Sequence, residues 1–148
     1  MAEVRKTVLI ERSAEQMFRL VDDVERYPQF LPWCGGSQLI ERTEAFTRAR
    51  IDINYHGVKA HFVTANEKVF PRSMSIKLVE GPFERLDGTW RFTPLGECAC
   101  KIEFNLHYEF SSRLIEKVVG PVFSHIANTF VDAFVKQADG IRQGGVSP

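Results

Sequence analysis

Between residues 37 and 110, apolar and polar positions alternate with a period of two in several separate runs. Ala49, Ile51, Ile53 and Tyr55 alternate with Arg48, Arg50, Asp52 and Asn54. Met74, Ile76 and Leu78 alternate with Ser75 and Lys77. Leu86, Trp90 and Phe92 alternate with Asp87, Thr89, Arg91 and Thr93. Ile102, Phe104, Leu106, Tyr108 and Phe110 alternate with Lys101, Glu103, Asn105, His107 and Glu109. Each run predicts a strand with one covered face and one wet face. Turn residues separate the runs at His56-Gly57, Pro71-Arg72, Gly81-Pro82 and Pro94-Leu95-Gly96. Residues 59–70 are less regular: Phe62, Val63, Val69 and Phe70 follow no strict alternation. A further strand is predicted over 4–11, where Val4, Lys6, Val8 and Ile10 alternate with Arg5, Thr7 and Leu9. The expectation is a meander of six to seven strands.

The helical signals lie at the two ends. Ser13 offers an N-cap with Gln16 three residues on, the spacing of a capping box. Met17, Leu20, Val21 and Val24 follow at helical spacing, which predicts a helix ending near Asp22–Asp23. A second short turn is predicted over Val24 to Tyr27, stopped by Pro28. Two prolines and two glycines over 28–36 predict an irregular segment, although Phe30, Leu31 and Trp33 are too apolar for an ordinary solvated loop. From Ser112 to about Gly140 apolar residues form a wide stripe that includes Leu114, Val118, Val119, Val122, Phe123, Ile126, Phe130 and Phe134. This predicts one long helix, bent where Gly120-Pro121 removes a backbone hydrogen bond. Residues 144–148 are expected to fray.

The pattern predicts an α+β protein with one domain over 1–143 and no repeats or linkers. A twisted antiparallel sheet covered on one face curls, and a single helix matches its concave side only along a line. The remaining space is filled by large side chains or by a ligand, and the chain supplies 12 Phe, 3 Tyr and 2 Trp. Lys+Arg and Asp+Glu both total 19, so the net charge is zero. This lacks the basic excess expected of binding driven by phosphate counterion release. The three cysteines, Cys34, Cys98 and Cys100, are an odd count without a secretory signal. They are expected to be reduced and to serve as small buried apolar residues. No His lies at a close ligand spacing to Cys98 and Cys100, so no metal site is expected. No stretch is expected to satisfy the ~20 apolar residues of a membrane helix. The first strand begins near Val4, which leaves no room for a leader ahead of the fold; a cytoplasmic protein is the expectation.

Three segments carry a family resemblance. The first reads Val24-Glu25-Arg26-Tyr27-Pro28-Gln29-Phe30-Leu31-Pro32-Trp33-Cys34. The second is Gly81-Pro82-Phe83 followed by Leu86, Gly88, Trp90, Phe92 and Pro94. The third is Phe104 to Phe110, Ser111, the Gly-Pro-containing helix and Ala133-Phe134. Together they resemble the coenzyme Q-binding START-like family (polyketide cyclase/dehydrase-like), in particular its bacterial ribosome association toxin branch. The resemblance implies a helix-grip (START-like) fold: a curved antiparallel sheet wrapped around a long C-terminal helix, with two short helices after the first strand. It also implies a hydrophobic tunnel. Mitochondrial members imply ubiquinone or a related isoprenoid as bound ligand, with no cofactor required, and a role as a lipid chaperone in respiration. The bacterial branch implies binding to the large ribosomal subunit and a block of subunit association. Shared fold does not choose between these activities. The expected partners are therefore an apolar small molecule, the large ribosomal subunit, and a membrane met transiently.

The candidate ligand-binding residues follow from the inward registers. Phe30, Leu31 and Trp33 either cap the core or gate a tunnel mouth. Ile51, Ile53 and Tyr55, then Phe83, Trp90 and Phe92, then Phe104, Leu106 and Tyr108 supply the sheet wall. Val122, Phe123, Ile126 and Phe130 supply the helix wall. Tyr55 and Tyr108 carry hydroxyls able to donate to a quinone carbonyl. Catalysis of the cyclase type needs a polar group aimed into the pocket. His56, His61, His107 and His125 are scattered, and Asp52 and Glu109 fall on wet registers. No catalytic residue is assigned. The candidate ribosome-facing group is Arg48, Arg50 and Lys59, extended by Arg91 and Lys101, on a face that also carries Asp52 and Glu103.

Overall fold

A computed structural model describes residues 2–144. The expected frayed tail at 144–148 lies, from residue 145 onward, outside the described residues. Seven strands form one antiparallel sheet: β1 (Ala2–Ile10), β2 (Cys34–Arg42), β3 (Phe46–Tyr55), β4 (Val58–Val69), β5 (Ser73–Glu80), β6 (Phe83–Pro94) and β7 (Cys100–Phe110). Their order across the sheet is β1-β7-β6-β5-β4-β3-β2. The first two strands of the chain are thus its two edges. The sheet curves over one long helix, α3 (Arg113–Gly144), which passes through Pro121 without interruption.

The chain crosses from one edge to the other through α1 (Ala14–Asp22), a 3₁₀ turn over Val24–Arg26, and α2 (Tyr27–Phe30). Ser13 caps α1 as expected, its hydroxyl accepting from the Gln16 N–H at 3.1 Å. Pro28 does not stop the second turn. It sits in the first turn of α2, where its missing N–H would have no intrahelical partner anyway. The glycines also fail to break the chain: Gly35 and Gly36 lie inside β2. At Gly35 a Cβ would come within 2.8 Å of the Asn54 Cβ, so only glycine lets the two strands approach here. Among residues 28–36, only Leu31, Pro32 and Trp33 lie outside helix or strand.

The predicted turns all appear, and His56 and Gly57, both at positive φ (50° and 79°), close the β3–β4 hairpin. The irregular pattern over 59–70 has a physical cause. The bulge between β4 and β5, where Val63 and Thr64 face Glu80 and Leu78, puts its extra residue on β5 and leaves β4 in unbroken register with β3. The inward row of β4 is Phe62, Thr64, Asn66 and Lys68, paired with Ile51, Ala49 and Thr47 on β3 for the first three. That row turns polar toward its end.

Two other expectations are corrected. Cys98 is exposed while Cys34 and Cys100 are buried. β7 starts only at Cys100, so Cys98 lies in the preceding loop and shares no strand face with it. The stripe on α3 is less continuous than its composition: Leu114 and Val118 are 71% and 55% exposed. In its first turns α3 has only just left β7, and its burial begins in earnest at Val119. By length and composition alone, Arg113–Gly140 is sufficient to cross a membrane, contrary to the expectation from sequence. Its apolarity is used in part by the sheet, which covers Val119, Phe123, Ile126, Ala127, Val131, Phe134 and Ala138.

Candidate functional site: an aromatic cavity between sheet and helix

The concave face and α3 do not close completely. They leave an internal cavity of about 70 Å³. α3 contributes Phe123, Ile126, Ala127 and Phe130; the sheet contributes Ala49, Ile51, Phe62, Thr64, Asn66, Ile76, Leu86, Trp90, Phe104 and Leu106. Val21, Val24, Tyr27 and Trp33 complete the wall from the crossing between the two edges. Two aromatic clusters flank the space. In one, Trp90 stands 4.6 Å from Phe104, 5.7 Å from Phe130 and 5.6 Å from Phe134. In the other, Phe123 stands 4.8 Å from both Phe83 and Tyr108. The packing is edge-to-face at Trp90–Phe134, Phe123–Phe83 and Phe123–Tyr108 and tilted at the other two contacts.

The electrostatics of the lining are sparse. Its one ionisable side chain is Tyr27, whose hydroxyl donates to the Val21 carbonyl and whose pKa burial pushes upward. The other polar side chains are Thr64 and Asn66 on β4, and the indoles of Trp33 and Trp90. The Asn66 amide nitrogen donates weakly to the Met74 sulfur at 3.9 Å, while its Oδ1 is buried without any hydrogen-bond partner. Beyond Asn66 the inward row of β4 ends in a buried ion pair: Lys68 Nζ lies 3.0 Å from Asp22 Oδ2, and the Thr47 hydroxyl donates to Asp22 Oδ1 at 2.9 Å. Among the described residues no group of three or more His, Cys, Asp or Glu could hold a metal ion.

Of the candidate residues, Trp33, Ile51, Trp90, Phe104, Leu106, Phe123, Ile126 and Phe130 line the cavity. Leu31, Ile53 and Phe92 are buried in the surrounding core instead, with Phe92 stacked on Trp90 and edge-on to Phe18. Phe83 also packs outside the lining, and Val122 is half-buried on the flank of α3. Phe30 and Tyr55 face an outer groove of about 400 Å³, shared with Pro32, His125 and Thr129. Tyr55 stacks there on His125 at 5.6 Å. The Tyr108 hydroxyl is engaged by Ser124, and burial raises its pKa. Neither tyrosine lines the cavity, whose polar side chains on β4 are Thr64 and Asn66. Those two were hidden by the irregular pattern of 59–70; reading Phe62, Thr64, Asn66 and Lys68 as one period-2 row would have exposed them.

Trp33 lines both the cavity and the outer groove, and so forms the partition between them. Its loop is well anchored. The Leu31 N–H bonds the Tyr27 carbonyl, the Cys34 N–H bonds the Leu31 carbonyl, and the Asn54 N–H bonds the Trp33 carbonyl, each at 2.9 Å.

The outer face of the sheet is charged but largely paired. Arg50 bonds Asp52 at 2.8 Å, Arg85 bonds Asp87 at 2.6 Å, and Lys101 lies 3.8 Å from Glu103. Arg48 lies over the Phe46 ring at 5.7 Å and Lys59 is exposed, with no ion-pair partner for either among the described residues. Arg91 and Lys101, on β6 and β7, are separated from Arg48, Arg50 and Lys59, on β3 and β4, by the width of β5.

Comparison with known proteins agrees with this architecture. Residues 10–135 match the family model described as polyketide cyclase / dehydrase and lipid transport. The chain is 45% identical over 138 residues to the ribosome association toxin RatA of Vibrio cholerae, covering 93% of this chain and 96% of the relative. It is 29% identical over 140 residues to the mitochondrial coenzyme Q-binding protein COQ10 homolog B of Xenopus laevis, covering 92% of this chain and 57% of that protein. Among solved structures, a Thermus thermophilus protein superposes with a TM-score of 0.79 at 24% identity, over 99% of this chain and 100% of that one. The Zhui aromatase/cyclase of a Streptomyces species also superposes at 0.79, with 16% identity over 98% and 99% of the two chains. At those identities the structures speak for the fold alone. Sheet, helix and sequence together place the chain in the START-like polyketide cyclase/dehydrase and lipid-transport family, among relatives named as RatA toxins.

Proposed function

We propose that this protein is a non-catalytic binder of an apolar ligand, a quinone or related isoprenoid lipid, held between the sheet and α3. The observation that carries this reading is the cavity wall. Its aliphatic and aromatic groups surround a single ionisable side chain, the Tyr27 phenol, which burial keeps protonated. A cyclase would need a general acid or base within reach of the reacting atoms. The name of the Xenopus laevis relative supports a quinone as cargo. Burial of the apolar tail, at ~25 cal/mol per Å² before ordering costs, supplies the affinity.

Pockets for such ligands normally measure roughly 300–1,000 Å³. At about 70 Å³ the cavity must widen to take one. In this reading the outer groove is the approach and Trp33 is the door. No cofactor takes part, and the setting is the cytoplasm, with a membrane met only to load or unload cargo. Organic extraction of the purified protein, with the extract analysed for quinones, tests this directly. A co-purifying isoprenoid supports the reading. A protein that is empty, and that also fails to take up an added short-tail ubiquinone in calorimetric titration, rules it out.

A second reading, association with the large ribosomal subunit, is supported by the 45% identity to a protein named for that property. Arg48 and Lys59, the cations of β3 and β4 without a carboxylate partner, are its candidate contacts. Because they lie away from the cavity, the two readings are compatible. Co-sedimentation with large subunits, lost on double charge reversal at Arg48 and Lys59 with ligand uptake intact, would support it. Failure of the unaltered protein to sediment with subunits would dismiss it.

A further inference from the structure

The cavity is apolar on most of its surface and polar at one place. Thr64 and Asn66 lie two apart on β4 and therefore point to the same side of the sheet. Asn66 pairs with Thr47, whose hydroxyl is already committed to Asp22. The next residue of the row, Lys68, is committed to the same carboxylate. The cluster beyond Asn66 is thus satisfied within itself and has nothing to offer the amide. The Asn66 Nδ2 finds only the Met74 sulfur, and its Oδ1 is a buried acceptor with no protein donor. A buried acceptor left without a donor is costly, whereas an apolar residue of similar shape at the same place costs nothing. Its chemistry is met by a ligand that brings a donor.

We propose that Asn66 is the polar pole of the cavity and selects apolar ligands that carry a hydroxyl at one end, so that the hydroquinone form of a prenylated ring is held in preference to the oxidised quinone. This rests on the apolar-ligand reading above. The two redox forms share a ring and a tail and differ in donors. A quinone oxygen accepts from Nδ2 but leaves Oδ1 unpaired. A hydroquinone hydroxyl donates to Oδ1 and accepts from Nδ2 at once. The difference is one buried hydrogen bond made or left unmade, on the order of tenfold in affinity.

The test is anaerobic calorimetric titration of the full chain with a short-tail ubiquinone analogue and with the same compound chemically reduced. About tenfold tighter binding of the reduced form is expected. Asn66→Leu should bring the two affinities together, and the empty variant should melt no lower than the parent because it loses an unpaired acceptor. The dimethyl ether of the hydroquinone, which keeps the ring and lacks donors, should bind no tighter than the quinone. That comparison decides the matter without a mutation should the variant fold poorly. Equal affinity for both redox forms in the unaltered protein overturns the selectivity and leaves the apolar-ligand reading standing, and so does a preference that survives in Asn66→Leu. Binding of neither form overturns both.

Discussion

The rings of Trp33 and Phe130 stand 6.1 Å apart with their planes tilted by 44°, and the indole has the cavity on one side and the outer groove on the other. Trp33 comes from a three-residue loop and Phe130 from the middle of α3, so the partition joins a loop side chain to a helix side chain. Replacing Trp33 by Ala should merge the two spaces. Stopped-flow uptake of a short-tail quinone should accelerate, and urea denaturation should show a loss of ~3–5 kcal/mol for the truncated buried aromatic. Unchanged uptake would mean that the ligand enters elsewhere.

Ala127 offers the reverse experiment. It is buried on α3 with its methyl facing the cavity. Ala127→Leu should occupy the space that a ligand needs, abolish uptake in the same titration, and raise stability by roughly 0.5–2 kcal/mol as cavity-filling substitutions do. A variant that is stabilised yet still binds would place the ligand outside this cavity.

The Lys68–Asp22 ion pair is enclosed, with the lysine side chain 3% exposed and the carboxylate 17%. Truncating Asp22 strands the buried lysine, whereas truncating Lys68 leaves Asp22 with the Arg42 guanidinium at 3.6 Å and the Thr47 hydroxyl. Asp22→Asn alone should cost ~3–5 kcal/mol in chemical denaturation, and the double variant Lys68→Met/Asp22→Asn should recover a substantial part of it. Additive losses would show that the two groups do not depend on each other.

Glu25 in the 3₁₀ turn accepts from both terminal nitrogens of Arg42 on β2, at 3.0 and 2.7 Å. These hydrogen bonds hold its carboxyl below the ordinary value of 4.5. A carboxyl whose folded pKa is lowered contributes stability above its unfolded pKa and loses it as pH falls through the folded value. The pair is largely exposed, so screening limits the contribution to roughly 0.5 kcal/mol. Urea midpoints should show the parent above Glu25→Gln at pH 7, with the gap closing as the solution is acidified below about pH 4. A gap independent of pH would assign the effect to packing.

The cysteines differ in access. Cys98 is exposed, whereas Cys34 is buried and its thiol pKa is pushed up to about 11, chiefly by desolvation. Cys100 is also buried and raised by desolvation. A native thiol titration with a chromogenic disulfide should show one fast group and two that react only after unfolding. Cys98→Ser should remove the fast phase and nothing else.

The strands with one covered and one wet face were legible because burial alternates residue by residue along them, as it does on β3 and β7. The helix cap at Ser13 was legible because a local hydrogen bond decides it. What resisted reading has identifiable causes. β4 keeps its phase through the bulge, yet its inward row could not be followed past Phe62. That row also carries Thr64, Asn66 and Lys68, and polar residues on an inward face read as a wet one until their partners are known. Pro28 and Gly35 are breakers only by type: one sits in the first turn of a helix, and the other lets β2 approach Asn54. Whether a tyrosine faces a cavity or a neighbouring hydroxyl is decided by tertiary packing, and Tyr55 and Tyr108 have the same alternation as residues that do line the space.

The sheet order has a consequence for how the protein is made. β1 pairs with β7, Ala2 opposite Tyr108 and Ile10 opposite Cys100, so β1 finds its neighbour only after about a hundred further residues have been synthesised. Growth from β2 through β7 adds one local hairpin at a time, whereas the β1 edge closes a loop that spans nearly the whole chain, the kind of contact that slows folding. α3 follows later still. Throughout that interval the concave face, with Trp90, Phe92 and Phe104 on it, has no helix to cover it. A nascent chain paused before α3 would expose the same apolar surface that later encloses the cavity, and α3, translated after all seven strands, is the element that converts a sticky sheet into a container.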